Sequence, residues 1–174
     1  MNAWHFTHRV RQVLAIAREV VVGLDHEYVG TEHILLALLA TRDSLGCVVL
    51  TQLGADPDAV RAAVLRTVQR GGRPTDSSML PYTDEAKEAL KLSMAAAVEL
   101  GQPYVGTEHL LLGLIRARTG VVRKRKGIAA QVLADAGVTD DGAREEVRRL
   151  AGAGRRDPDV AAAWPPADRP PPAA

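Results

Sequence analysis

The chain has 174 residues, 47% of them apolar, enough to enclose a core in one domain or two small ones. Aromatics make up only 3% and the net charge is +1. The core must therefore come from Ala, Val, Leu and Ile, which favours packed helices over a sandwich or barrel, and no global field draws the chain onto nucleic acid or anionic lipid. A single cysteine, Cys47, excludes an internal disulfide framework and fits a reducing compartment; with no apolar run of about 18 residues and no apolar signal core after Met1, no membrane span is expected and the location is expected to be cytoplasmic.

Taken in chain order, Val10, Val13, Leu14, Ala17, Val21 and Leu24 form the stripe of one helical face, with Thr7 placed to cap its start. A second helix, over roughly 32–40, is expected to start from a Thr31 cap and to turn Ile34, Leu35, Leu38 and Leu39 inward. A short third helix ends at Gly54, and Asp56-Pro57 then supplies a cap and a first-turn proline for a fourth, which runs through Val60, Val64 and Val68 to about Arg70. Residues 71–81 read as a polar, turn-forming linker. Thr83, Gly101, Thr107, Gly137 and Thr139 punctuate the second half in the same way, and no alternating run is long enough for a strand. From Gly152 onward the chain is rich in Pro and Ala and offers little that could pack, so 152–174 is expected to be disordered.

The chain is an internal duplication. Tyr28-Val29-Gly30-Thr31-Glu32-His33-Ile34-Leu35-Leu36 returns as Tyr104-Val105-Gly106-Thr107-Glu108-His109-Leu110-Leu111-Leu112, eight of nine positions identical at an offset of 76. Phe6-Thr7 matches Tyr82-Thr83 at that offset, whereas Val49-Leu50 and Gly54 match Val132-Leu133 and Gly137 at 83, so seven residues are inserted between Ile115 and Val132. The expected organisation is all-α, with four helices in repeat one (6–70), a linker (71–81), four in repeat two (82–151), and the tail.

Enzymatic signatures are missing. The chain contains no G-x-x-x-x-G-K-[ST] loop and no G-x-S-x-G elbow. Cys47 lies in an apolar helix and reads as a small buried side chain rather than a nucleophile. His26, Glu27, Glu32 and His33 form a candidate metal set, but the spacing is not H-E-x-x-H, and repeat two has Gln102 and Pro103 in place of His26 and Glu27. Neither a metal nor another cofactor is expected.

The paired G-T-E-H-[IL]-L-L motifs, each with an F/Y-T helix start about 24 residues upstream, resemble the Clp repeat domain at the N-terminus of ClpA- and ClpC-type unfoldases, ClpC above all. The resemblance spans residues 4–151. It implies a pseudo-twofold body of eight helices that binds substrates and adaptors and does no catalysis. Those unfoldases continue into ATPase modules; within these 174 residues there are none, and a free-standing N-domain is expected. The expected partners are protein substrates, adaptors, or a Clp unfoldase or protease.

A helix start carries unpaired N–H groups and partial positive charge and suits an anion, while Glu32 and Glu108 in the first turn suit a guanidinium. The resemblance implies a ligand that combines both charges, phosphoarginine, with one site per repeat: Glu32 with Thr7 and Arg9, and Glu108 with Thr83, where Glu85 replaces the basic residue. On that pairing repeat one is the better site. The alternative is that the threonines only cap helices, the glutamates only favour the helix dipole, and His33 and His109 only fill space. The resemblance also implies a face for adaptors or cyclic peptide antibiotics, here Trp4, Phe6, Val13, Leu14, Tyr82 and Lys87, although Phe6 and Tyr82 could equally be staples packed into the core. Finally, Arg116, Arg118, Arg123, Lys124, Arg125 and Lys126 form a basic run without an acid or an aromatic, read as a solvated loop. Contact with an acidic partner or nucleic acid through 116–126, as a regulatory protein would make, is the alternative function.

Overall fold

A computed structural model describes residues 5–73, 76, 80–117 and 127–157. Eight helices follow one another: α1 (His8–Gly23), α2 (Thr31–Ala40), α3 (Leu45–Gln52), α4 (Pro57–Thr67), α5 (Asp84–Glu99), α6 (Thr107–Arg116), α7 (Ile128–Asp135) and α8 (Asp140–Gly152). No strand occurs among the described residues, only two isolated bridges, so the all-helical double repeat stands.

The helix starts follow local chemistry. Thr7 accepts the Val10 N–H, Thr83 that of Ala86, Thr139 that of Gly142 and Asp56 that of Asp58, each satisfying a first-turn donor that the helix itself cannot. Gly54 and Gly137, both at φ +80°, stop α3 and α7 at equivalent places. α4 ends at Thr67, short of the expected Arg70, because Val68 turns to ψ 129° and the chain folds back to pair Arg70 with Asp25 at 2.8 Å.

The motif helices differ from the rest. The sequences TEHILLALLA and TEHLLLGLIR leave hardly any polar face, and a helix that is apolar all round is a core helix. Every residue from Thr31 to Leu39 and from Thr107 to Ile115 is buried, rather than the four inward positions expected for α2. Nor do the threonines cap. The cap residues are Gly30 and Gly106, whose N–H groups donate to Nδ1 of His33 and His109 at 2.8 and 2.9 Å.

The other helices wrap this pair in a crossed fashion. α1 lies on α2 and α5 on α6, but α3 of repeat one lies mainly on α6, and α7 of repeat two packs on α2 and α4 of repeat one as well as on its own α6. The Gly46 N–H donates to Thr107 Oγ1 at 3.0 Å, and the Ala129 N–H donates to Thr31 Oγ1 at 3.4 Å in the equivalent joint. A Cβ on Gly46 would stand 2.7 Å from the Thr107 carbonyl oxygen, so only glycine lets α3 approach this closely. The segments before the helices cross as well. Thr7 N–H donates to Val105 O and Val105 N–H to His5 O, while Val29 N–H donates to Pro81 O and Thr83 N–H to Val29 O, all at 2.8–3.1 Å.

Two boundaries move. Arg116, expected in the basic loop, is the last residue of α6 and bonds both Glu99 (2.9 Å) and Asp140 (2.6 Å). The packed body also continues past 151: Gly154 turns the chain at φ +74°, and Asp157, expected within the tail, is fully buried. Trp4, the 118–126 part of the basic run, and 158–174 lie outside the described residues.

Because α3 and α7 each cover the other repeat, neither half can bury its own core. Residues 1–75 expressed alone should lack a cooperative thermal transition and bind hydrophobic dyes, while the whole chain melts once. Stopping the chain after Pro158 should leave Tm unchanged. Stopping it after Gly154 removes the buried Asp157 carboxylate from its donors, bonds worth about 1.5–3 kcal/mol each, and should lower Tm by several degrees in calorimetry.

Candidate functional site

The crossing decides which residues meet. A cleft of about 300 Å³ opens at the start of α2, lined by Tyr28, Thr31, Glu32, Thr83, Glu85, Gly127 and Ile128. Glu32 therefore faces the helix start of the opposite repeat, Thr83 with Glu85, and not Thr7 with Arg9 as expected. Burial mainly raises the Glu32 carboxyl, Glu85 adds to the rise, and its own backbone N–H and His26 oppose it. Arg9 is engaged elsewhere, bonding Asp43 at 2.6 Å and Gln12 at 3.0 Å.

Each residue of this cleft has a counterpart in the other repeat: Tyr104, Thr107, Glu108, Thr7, Arg9, Ser44 and Leu45. There Asp157 occupies the joint. Its Oδ1 accepts the Leu45 N–H at 2.8 Å, its Oδ2 accepts the Thr107 N–H at 2.9 Å, and the Thr107 hydroxyl donates to the same carboxylate at 2.7 Å. Tyr104 is 5% exposed whereas Tyr28 is 46% exposed. Burial pushes the Tyr104 hydroxyl up to about 12, with Glu108 and Asp157 adding to the rise and Arg156 opposing it.

Two buried histidines support the clefts from below. His33 Nδ1 accepts the Gly30 N–H, so its proton sits on Nε2 and is donated to His26 Nδ1 at 2.7 Å; His26 Nε2 then donates to the Gln69 carbonyl at 2.6 Å. His26, Glu32 and His33 are close enough to share a metal ion, but every ring nitrogen of the pair is already committed to a hydrogen bond, so the set fits a proton-locked support rather than a ligand cage. Glu27, the fourth member of the candidate set, is exposed. Burial, with His26 adding, lowers His33 to about 4, and burial alone lowers His109 to about 4. His109 Nε2 has no hydrogen-bond partner among the described residues, since Gln102 replaces His26.

The residues of the expected aromatic face differ in exposure. Val13 is fully buried and cannot meet a partner. Phe6, Leu14 and Tyr82 are half-buried against the core, the Arg18 guanidinium lies 5.4 Å from the Tyr82 ring centre, and Lys87 is exposed beside Asp84. Cys47 is 2% exposed, and burial pushes its thiol up, as an inert core side chain requires. The sequence reading missed Tyr28, Gly127, Ile128 and Asp157; the first three were reachable only through the crossing, and an Asp in a Pro-rich stretch carried no signal at all.

These features define a duplicated helical domain with a cleft between its repeats. The Clp repeat (R) N-terminal domain family matches residues 5–125, and the chain belongs to it. It is 40% identical over 147 residues, 84% of this chain, both to the chaperone protein ClpB of Oceanobacillus iheyensis and to the negative regulator of genetic competence ClpC/MecB of Bacillus subtilis. The matched region is 17% of each relative, so the chain spans about a sixth of their length. Among solved structures, a complex of the ClpV N-domain with VipB peptide shares the fold at TM-score 0.64 and 21% identity, over 84% of both chains. Among the described residues no single helix is long and apolar enough to cross a membrane.

His33 and His109 carry a pH dependence. Unfolded, each titrates near 6.5; folded, near 4. Between these values the unfolded chain binds more protons, so stability is complete above 6.5 and is lost as pH falls toward 4. The loss should reach about 2 kcal/mol per histidine at pH 5, partly offset by the raised Glu32 carboxyl, whose shift acts in the opposite sense. Urea unfolding at pH 8 and pH 5 measures this; equal midpoints would contradict the buried neutral rings.

Proposed function

We propose that the chain is a non-catalytic module that binds protein segments for Clp-type proteolysis, by delivering substrates to an unfoldase or by competing with it. Membership of the Clp repeat (R) N-terminal domain family supports this, and so does the neighbouring ClpV N-domain, which was solved with a VipB peptide. The single observation that carries the reading is the Glu32 cleft, where a buried carboxylate stands beside the N-terminal ends of α2 and α7. Such a site suits a side chain with a cationic and an anionic part. Phosphoarginine has both: its guanidinium pairs with Glu32 and Glu85, and its phosphate takes the hydroxyls of Thr31 and Thr83 and the helix-start N–H groups. The half-buried Phe6, Leu14 and Tyr82 with exposed Lys87 form the smaller face on which an adaptor or a cyclic peptide antibiotic docks, and sequestering such an antibiotic belongs to the same reading.

Glu32→Gln removes one charge-assisted contact worth about 1.5–3 kcal/mol and should weaken a phosphoarginine peptide at least tenfold in calorimetry. Glu108→Gln should change it by less than twofold, since Asp157 lies in that cleft. Equal losses would contradict the assignment, and no binding by the parent chain would leave Glu32 a structural residue only.

A further inference from the structure

The two clefts are built alike but filled differently. α3 and α7 begin and end at positions 83 residues apart, and the joint Gly46 N–H to Thr107 Oγ1 repeats as Ala129 N–H to Thr31 Oγ1. The donors that hold Asp157, namely the N–H and hydroxyl of Thr107 and the N–H of Leu45, therefore recur as the N–H and hydroxyl of Thr31 and the N–H of Ile128. In repeat two a carboxylate fully occupies them. In repeat one they line the open cleft, and no described residue accepts a hydrogen bond from the Thr31 or Ile128 N–H. The tyrosine at the mouth reports the same difference, buried in one repeat and half exposed in the other.

From this we infer that Asp157 is an internal ligand of the repeat-two cleft, and that the open repeat-one cleft takes the same chemistry from another chain: the side-chain carboxylate of an aspartate that follows an arginine. The carboxylate requirement comes from the three converging donors, which together neutralise an acid that would otherwise be costly to bury. The arginine requirement comes from the surroundings. Arg156 directly precedes Asp157, so the internal ligand carries its own cation. The open cleft is also the more acidic of the two, since Glu85 replaces Arg9 there. A bare anion is disfavoured beside Glu32 and Glu85, whereas an aspartate carrying its own cation is not. The ends of α3 and α7 differ in a way that favours an external ligand at α7. Ser44 caps α3 by accepting the Cys47 N–H at 3.3 Å, but Gly127 has no side chain with which to cap α7. The inference rests on the Glu32 cleft being a binding site and is independent of phosphoarginine.

The test is an NMR titration of the whole chain with the amidated peptide Ala-Gly-Arg-Arg-Asp, the chain's own residues 153–157, whose only carboxylate is the aspartate side chain. In the parent chain the Thr31 and Ile128 amides should shift, while those of Thr107 and Leu45 stay in place. With Asp157→Ala both pairs should shift, because the second cleft is vacated. Thr31→Val should abolish the shifts at repeat one, and the same peptide with Asn for Asp should shift neither pair. Should Asp157→Ala not fold, hydrogen exchange on the parent chain decides: Thr107 should exchange at least tenfold more slowly than Thr31, and saturating peptide should close that gap. The inference is overturned if the peptide leaves Thr31 and Ile128 unmoved, if the Asn peptide acts equally, or if Thr31 and Thr107 exchange alike before peptide is added. Loss of peptide binding with phosphoarginine binding intact would overturn this inference alone and leave the proposed function standing.

Discussion

Two helices, apolar on every side, must begin inside the protein. Each helix start leaves four backbone N–H groups without an intrahelical acceptor, and in the interior water cannot supply one. The rest of the fold is arranged around that need. His33 and His109 reach back to the glycine N–H that precedes each helix, and Glu32 and Glu108 fold over their own first turns. A Cβ on Gly30 or Gly106 would meet those carboxylates, so a serine or threonine there would have to displace them. The threonine hydroxyls are then left to accept from another helix, and the helices placed to donate are α3 and α7 of the opposite repeats.

Crossing is thus a consequence of capping. Gly46 in the first turn of α3 donates to Thr107, and Ala129 in the first turn of α7 donates to Thr31, so the motif helix of each repeat caps a short helix of the other. The same crossing brings the Tyr82-Thr83 segment to Val29 and the Phe6-Thr7 segment to Val105. A cleft made this way has walls from both repeats. It stays intact only while the repeats remain joined, so the affinity of the site and the stability of the interface are coupled through one set of donors. Changes at the joint, even distant from a ligand, act on both.

The helices were largely legible. Thr7, Asp56, Thr83 and Thr139 cap where the sequence reading placed them, Gly54 and Gly137 end their helices, and the duplication identified the family. These features are local, and local chemistry decides them. The crossing was not legible, because an internal repeat at a fixed offset states which residues are equivalent but not which of them touch. Pairing Arg9 with Glu32 assumed that each repeat completes itself; the geometry gives Glu32 to Glu85 instead. Thr31 and Thr107 carried the sequence signature of caps, but each is the first residue inside its helix, and the glycine before it holds the cap position with its N–H donated to the histidine at the third helical position. Asp157 was invisible because its value lies in three donors that are far from it in sequence.

The duplication also shows how two equal sites become unequal. Three of the exchanges between them change the chemistry of the cleft. Glu85 stands for Arg9, Gly127 for Ser44, and His26 for Gln102. The first makes the repeat-one cleft acidic and turns it toward ligands that bring a cation. The second removes the side-chain cap from α7 and leaves its first N–H groups to whatever enters the cleft. The third gives His33 Nε2 a hydrogen-bonded partner that His109 Nε2 lacks among the described residues, fixing the tautomer beneath Glu32 through a chain that ends on the Gln69 carbonyl. All three act on repeat one, in the direction of a rigid, acidic, open cleft. In repeat two the same donors hold a carboxylate of the chain itself, whereas in repeat one they line an open cleft.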